Sequence, residues 1–173
     1  MSKLSVDEVG KELPSGFSAS VIMEQSPSDS PWADDKWEAL GVTAGPTGKH
    51  EPAMTLVYEE EGVRRFLNSG FTLRLHVDEC ESYYQNLMAP TPRCYIVADP
   101  DENGVPIPVL ISLSFDEAHA YLEGEQIVYA VDIPAEIYRW CEAFVLQHYI
   151  PEKKLKRRLK DWKGPANGDQ THA

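Results

Sequence analysis

The sequence contains no apolar run that approaches the about 20 residues needed to cross a bilayer. Its start, MSKLSVDEVGKELPSG, is polar and acidic and has no apolar stretch typical of a secretory signal. We therefore expect a cytoplasmic chain without a membrane span. Its 173 residues, 42% hydrophobic and 25% charged, are sufficient for one globular domain with a single core.

Cysteine is scarce, and the three that occur, Cys80, Cys94 and Cys141, are widely spaced and odd in number. This set favours reduced thiols over a disulfide framework. Cys141 and His148 share one face of a predicted helix, but seven residues separate them, which is too far for the histidine to activate the thiol. We expect both to pack in the core, where a cysteine behaves as a small hydrophobic residue.

Common catalytic signatures are also absent. The chain has no G-x-S-x-G, P-loop or dinucleotide-binding glycine motif. We predict no catalytic residues and no cofactor, and this favours a protein that is not an enzyme. A small enzyme with an unrecognised site remains an open alternative.

Basic residues are few in the body of the chain: residues 1–150 carry nine Lys and Arg against 25 Asp and Glu. Such an acidic body repels phosphate backbones and argues against a nucleic-acid ligand. Residues 151–173 reverse the balance, with seven Lys and Arg against three acids. Within them KKLKRRLKDWK is either a solvated tail or a basic amphipathic helix that docks on an acidic partner surface, an anionic membrane or a nucleic acid. Its candidate contact residues are Lys153, Lys154, Lys156, Arg157, Arg158 and Trp162.

Hydrophobic periodicity predicts an α+β fold. Seven segments are predicted as strands, some because apolar residues alternate and others because they are apolar runs rich in strand-forming residues. Helical signals lie between them: the capping box Ser114–Glu117, and a long amphipathic helix after Pro134. Hairpin connections favour a largely antiparallel, barrel-like sheet with this C-terminal helix packed on it. We divide the chain into a flexible arm over 1–15, one domain over 16–150 and a basic tail over 151–173. The predicted strands are FSASVIMEQ, WEALGV, MTLVY, GFTLRLHV, RCYIVA, PVLISLS and EQIVYAVDI.

Two segments carry metal-ligand residue types. Residues 99–104, DPDENG, match the opening of a calcium loop, but Leu110 stands where a bidentate glutamate is required. A hairpin turn is the favoured interpretation. His76, Asp78 and Cys80 gather nitrogen, oxygen and sulfur donors, but no second pair of ligands accompanies them. We predict that Asp78 caps a helix, in a capping-box pattern with Glu81, and we predict no metal site.

The segment SPSDSPWADDKWEALGV, residues 26–42, places two tryptophans beside aspartates. Trp37 falls in a predicted strand, and we expect it in the core. Trp32 follows a proline in a turn, where two interpretations are open. It folds back to cap the core, which is favoured because indoles are mostly buried, or it is an exposed interface anchor beside Asp34 and Asp35.

Several segments together resemble a known family. SPWADDKWEALGV, ESYYQNL, SFDEAHAYLE and PAEIYRWCEAFVLQHYIPEKKLKRR are similar, in that order, to an uncharacterised bacterial family of small cytoplasmic proteins. The resemblance covers most of residues 17–162, and its most specific parts are Pro–Trp–Ala–Asp and His–Tyr–x–Pro–Glu–Lys. Genes of that family tend to lie beside those for molybdenum-dependent formate dehydrogenase and its maturation factors. The resemblance implies this context but no catalytic residues.

The sequence therefore predicts a non-enzymatic accessory protein that binds formate dehydrogenase or one of its maturation factors. The acidic body and the basic tail would provide two surfaces of complementary charge. The alternative is a binding protein of the same pathway that handles a metal or cofactor through the three thiols and His76.

Overall fold

The computed structural model describes residues 13, 15–45 and 52–149. The predicted basic tail, and the predicted N-terminal arm apart from residues 13 and 15, lie outside these residues. The described chain forms two antiparallel sheets and three α-helices, so the predicted α+β class is confirmed. No described helix is long and apolar enough to cross a membrane.

The larger sheet has four strands in the order β2-β1-β4-β3, and every neighbouring pair is antiparallel. Its alternating sequences place Val21, Met23 and Leu73 on the buried face. A two-residue turn, Glu61–Gly62, joins β3 to β4, and both residues have positive φ, as a hairpin turn of this length prefers. The strands are β1 (Gly16–Ser26), β2 (Lys36–Ala44), β3 (Ala53–Glu60) and β4 (Val63–Arg74).

The smaller sheet has the order β6-β5-β7 and is also antiparallel. Its strands are β5 (Arg93–Pro100), β6 (Pro106–Ser112) and β7 (Ile127–Asp132). The expected curling into a barrel is wrong, because the described strands form two separate hydrogen-bonded sheets. β6 ends its sheet, and its two prolines carry no backbone N–H to donate to a further strand.

The helices are α1 (Cys80–Leu87), α2 (Phe115–Glu123) and α3 (Ala135–His148). α3 contributes its apolar stripe to the core shared by both sheets, and the Trp140 ring lies 5.4 Å from that of Phe17 on β1. The predicted cap by Asp78 is wrong: this residue lies in a 3-10 turn, Val77–Glu79, and no side chain caps α1. The buried members of the stripe are Ile137, Trp140, Cys141 and Val145.

Candidate functional site

Trp32 lies in the loop that joins β1 to β2, and 93% of its surface is exposed. Of the two interpretations open from the sequence, the fold-back onto the sheet edge is therefore wrong. A large apolar side chain held in water is the kind of residue that anchors protein interfaces. Trp37 behaves as predicted: it is half-buried against the core, and its ring lies 5.7 Å from that of Phe66.

Hydrogen bonds within the loop fix the backbone that carries Trp32. The Trp32 N–H donates to Ser30 Oγ at 3.4 Å, and the Ala33 N–H donates to the Ser30 carbonyl at 3.2 Å. At the base of the loop the Gln25 amide donates to Asp35 at 2.8 Å. The indole is therefore exposed on an ordered turn.

Acidic residues lie on both sides of Trp32 in the sequence. Lys36 lies 2.9 Å from Asp29, and its hydrogen bond and charge lower the pKa of that carboxyl. Asp34 and Asp35 are exposed, and no basic side chain in the described chain lies within ion-pair distance of either. The loop is therefore net negative around an apolar centre.

The β3–β4 turn lies beside this loop. A Cβ built on Gly62 would come within 3.2 Å of Pro27 Cγ, so the two hairpins meet at one end of the larger sheet. Glu61, in the same turn, is exposed and adds negative charge. We call residues 27–35 together with Glu61 and Gly62 the hairpin tip surface.

The segment DPDENG forms the hairpin turn between β5 and β6, as predicted. The Asp101 carboxylate accepts the backbone N–H groups of Asn103 and Val105, both at 2.8 Å. One carboxylate oxygen is thus used to close the turn. Within the described residues, no three His, Cys, Asp or Glu are grouped as a metal site requires.

The three thiols are buried. Burial raises the pKa of Cys94 and Cys141 to about 12, and it also raises the pKa of Cys80. His76 is exposed, and its backbone N–H donates to the Tyr83 hydroxyl. These thiols are therefore protonated at neutral pH and enclosed, which suits packing better than nucleophilic chemistry.

The expectation for Cys141 and His148 holds for only one of them. Cys141 is fully buried, but His148 lies at the exposed end of α3, where its ring is 4.5 Å from that of Phe144. The apolar stripe therefore ends before His148. Spacing alone does not show where a helix leaves the core.

A groove of about 490 Å³ lies between β4 and β6. Its walls are mostly apolar, Thr72 supplies the one hydroxyl side chain, and they include no acid, base or thiol. The lining therefore offers no general base that could activate this hydroxyl. Its lining includes Pro52, Gly70, Phe71, Thr72, Pro108 and Leu110.

The geometry thus brings Trp32, Asp34 and Asp35 together at one exposed end of the fold. The other predicted contact residues, Lys153, Lys154, Lys156, Arg157, Arg158 and Trp162, lie outside the described residues. Sequence reasoning did not place the Glu61–Gly62 turn beside the loop that carries Trp32. The sequence carries little signal for it, because Glu–Gly is not among the dipeptides, such as Asn–Gly, that mark a two-residue hairpin turn.

A family model described as "Protein of unknown function (DUF3305)" matches residues 18–158. The chain belongs to this family. The match includes the whole hairpin tip surface, all three helices and both sheets apart from the first two residues of β1. Comparison with curated proteins and with solved structures gives no match. The family description assigns no activity, so the function of this member must be inferred from its surface.

Proposed function

We propose that the protein is a non-enzymatic binding factor that engages a partner protein through the hairpin tip surface. The observation that carries this proposal is the 93% exposure of Trp32 on an ordered, acidic loop. Water contact with an indole is unfavourable, and interfaces recover that free energy when the indole enters a pocket on a partner. The fitting partner has an apolar pocket rimmed by Lys or Arg.

Charge supports the same class of function. Asp34, Asp35 and Glu61 carry negative charge at the rim of the surface. Rim charges accelerate encounter with a basic partner more than they tighten the final complex. The proposed interaction should therefore associate more slowly as salt rises, because screening shortens the range of attraction.

For the partner we propose a cytoplasmic formate dehydrogenase or one of its maturation factors, on the basis of the sequence resemblance. The basic residues 153–163 are a second proposed contact, suited to an acidic region of the same assembly. The two contacts differ in chemistry, because one is acidic with an apolar centre and the other is basic.

The test is a binding titration of purified formate dehydrogenase, and of each maturation factor, with the full chain. We expect Trp32→Ala to weaken binding at least tenfold, as loss of an interface anchor does. Leu146→Ala is the matched control, since Leu146 is 80% exposed on α3, away from the tip, and it should bind as the wild type does. Equal affinity of Trp32→Ala and wild type would remove the hairpin tip from the interface.

The partner assignment is tested separately. Deletion of the gene should impair growth that depends on formate oxidation, and the wild-type gene should restore it where Trp32→Ala does not. Normal growth of the deletion strain on formate would contradict this choice of partner.

A further inference from the structure

β3 is an outer strand of the larger sheet and carries apolar side chains in water. Within the described chain it pairs with β4 alone. Four of its side chains are between 39% and 55% exposed. Natural edge strands usually carry charges or prolines that prevent further pairing, and the centre of β3 has neither. The exposed apolar residues are Met54, Leu56, Val57 and Tyr58.

These side chains lie on both faces of the sheet. Leu56 is opposite Phe66 on β4, on the face that includes the core, and Tyr58 is opposite Arg65, on the other face. An irregularity in the ladder lies between Leu56 and Tyr58. A partner on one face would leave the other apolar residues in water. A strand added at the edge contacts both faces and also pairs the free backbone groups.

Several charged side chains near this edge already have partners within the described chain. Arg64 lies 3.2 Å from Glu59, and the Tyr58 hydroxyl donates to Glu60 at 2.8 Å. Arg65 lies 2.9 Å from Glu24 and 4.7 Å over the Tyr58 ring. A highly charged strand would therefore gain little here. The edge favours an uncharged apolar strand, and Ala53–Tyr58 is itself such a strand.

We propose that two copies of this chain form a dimer by antiparallel pairing of their β3 strands. Pairing centred on Leu56 would place Leu56 of one copy opposite Leu56 of the other and keep the apolar segments of the two strands in contact. It would also separate Glu59 of one copy from Glu59 of the other by about 20 Å, at about 3.3 Å per residue. A parallel arrangement would bring these glutamates side by side and is disfavoured. The contact is one strand wide, so the dimer is weak and reversible.

Sedimentation equilibrium over a wide range of protein concentration tests this dimer. We expect the wild-type mass to rise from monomer towards dimer with concentration. Leu56→Lys should remain monomeric, because it introduces a charge at the paired edge. Val109→Lys is the matched control, since Val109 is an exposed residue on β6, the edge strand of the other sheet, and this variant should dimerise as the wild type does.

Cross-linking gives a second measurement that does not depend on a disruptive charge. Leu56→Cys should form a disulfide between two chains under mild oxidation, whereas Val109→Cys should not. A wild-type chain that stays monomeric, or a dimer that survives Leu56→Lys, overturns the proposal. A monomer that instead binds an apolar peptide along β3 also overturns it and identifies another occupant of the edge. Trp32→Ala should dimerise as the wild type does, because Trp32 does not lie on β3. The dimer and the hairpin tip interface can therefore fail separately.

Discussion

Ser114 Oγ lies 2.6 Å from Glu79 Oε2 and joins the starts of two helices. Ser114 is fully buried and precedes α2, where its hydroxyl accepts the Glu117 N–H at 3.1 Å. Glu79 directly precedes α1. One hydroxyl therefore caps α2 and binds the residue that precedes α1, which holds the starts of the two helices together.

Replacing this hydroxyl should destabilise the fold. We expect Ser114→Ala to lower the free energy of unfolding by about 1–2 kcal/mol, the usual effect of losing a helix cap with its hydrogen bonds. Urea denaturation measures the change. Ser18→Ala, at an exposed position on β1, is the control and should change stability by less than about 0.5 kcal/mol. A loss at Ser114 no larger than the control would contradict the capping role.

Two buried asparagines should respond in opposite directions. Asn68 Nδ2 is buried on β4 and has no hydrogen-bond partner in the described chain. An unpaired buried donor is costly, so we expect Asn68→Val to stabilise the protein by roughly 1 kcal/mol. Thermal or urea unfolding measures this. A destabilised Asn68→Val variant would show that the amide has a partner after all.

Asn86 is the matched comparison, because its amide is fully used. Its Nδ2 donates to the carbonyls of Arg93 and Leu113, and its Oδ1 accepts the Arg93 N–H. Asn86→Val would leave these buried backbone groups unpaired and should cost about 2–3 kcal/mol. The same unfolding measurement distinguishes the two sites, and similar effects at both would contradict the assignment.

The buried thiols predict a loss of stability in alkali. Folding raises the pKa of Cys94 and Cys141 from 9.0 to about 12, so the folded state favours the protonated thiols. The contribution of these thiols to the free energy of unfolding is complete below about pH 9. It falls as the pH rises towards 12, because the thiols of the unfolded chain ionise first. Within this range the free energy of unfolding should fall by about 1.4 kcal/mol per pH unit for each thiol.

Urea midpoints measured across this alkaline range test the slope. The double variant Cys94→Ala/Cys141→Ala should lose stability with pH less steeply than the wild type, whatever its absolute stability. The tyrosines titrate in both proteins and cancel in the comparison. Parallel pH profiles would show that these thiols are not shielded from water.

The two tryptophans of the β1–β2 hairpin should differ in their effect on stability. Trp37 packs on Phe66, so Trp37→Ala should cost roughly 3 kcal/mol, whereas Trp32→Ala should stay within about 0.5 kcal/mol of wild type. Acrylamide quenching provides the second readout: Trp32→Phe should remove a readily quenched component of the fluorescence. A large stability loss in Trp32→Ala would indicate that the indole packs on the protein.

Local patterns in the sequence were sufficient for most of the secondary structure. Alternation predicted β1, two apolar runs rich in strand-forming residues predicted the hairpin of β5 and β6, and the capping box predicted the cap at Ser114. The order of strands was not predictable in this way, because alternation reveals which face of a strand is buried but not its neighbours. The alternation of MTLVY, for example, is equally compatible with a central strand and with an edge strand.

The candidate site was predictable in composition but not in geometry. Trp32, Asp34 and Asp35 lie close together in sequence, but the backbone that carries the exposed indole is held by hydrogen bonds to Ser30 that the sequence pattern does not reveal. The link from Ser114 to Glu79 spans 35 residues and has no local signal. Contacts of this length are decided by how the elements pack.

The contact between Pro27 and Gly62 has a consequence for how this end of the molecule tolerates change. Gly62 needs its positive φ and also has a proline ring against the place where a side chain would begin. Insertions that surface loops normally accept would here separate two loops that fit together. Affinity tags, fluorescent labels and shuffled loop libraries should therefore be placed away from these two loops.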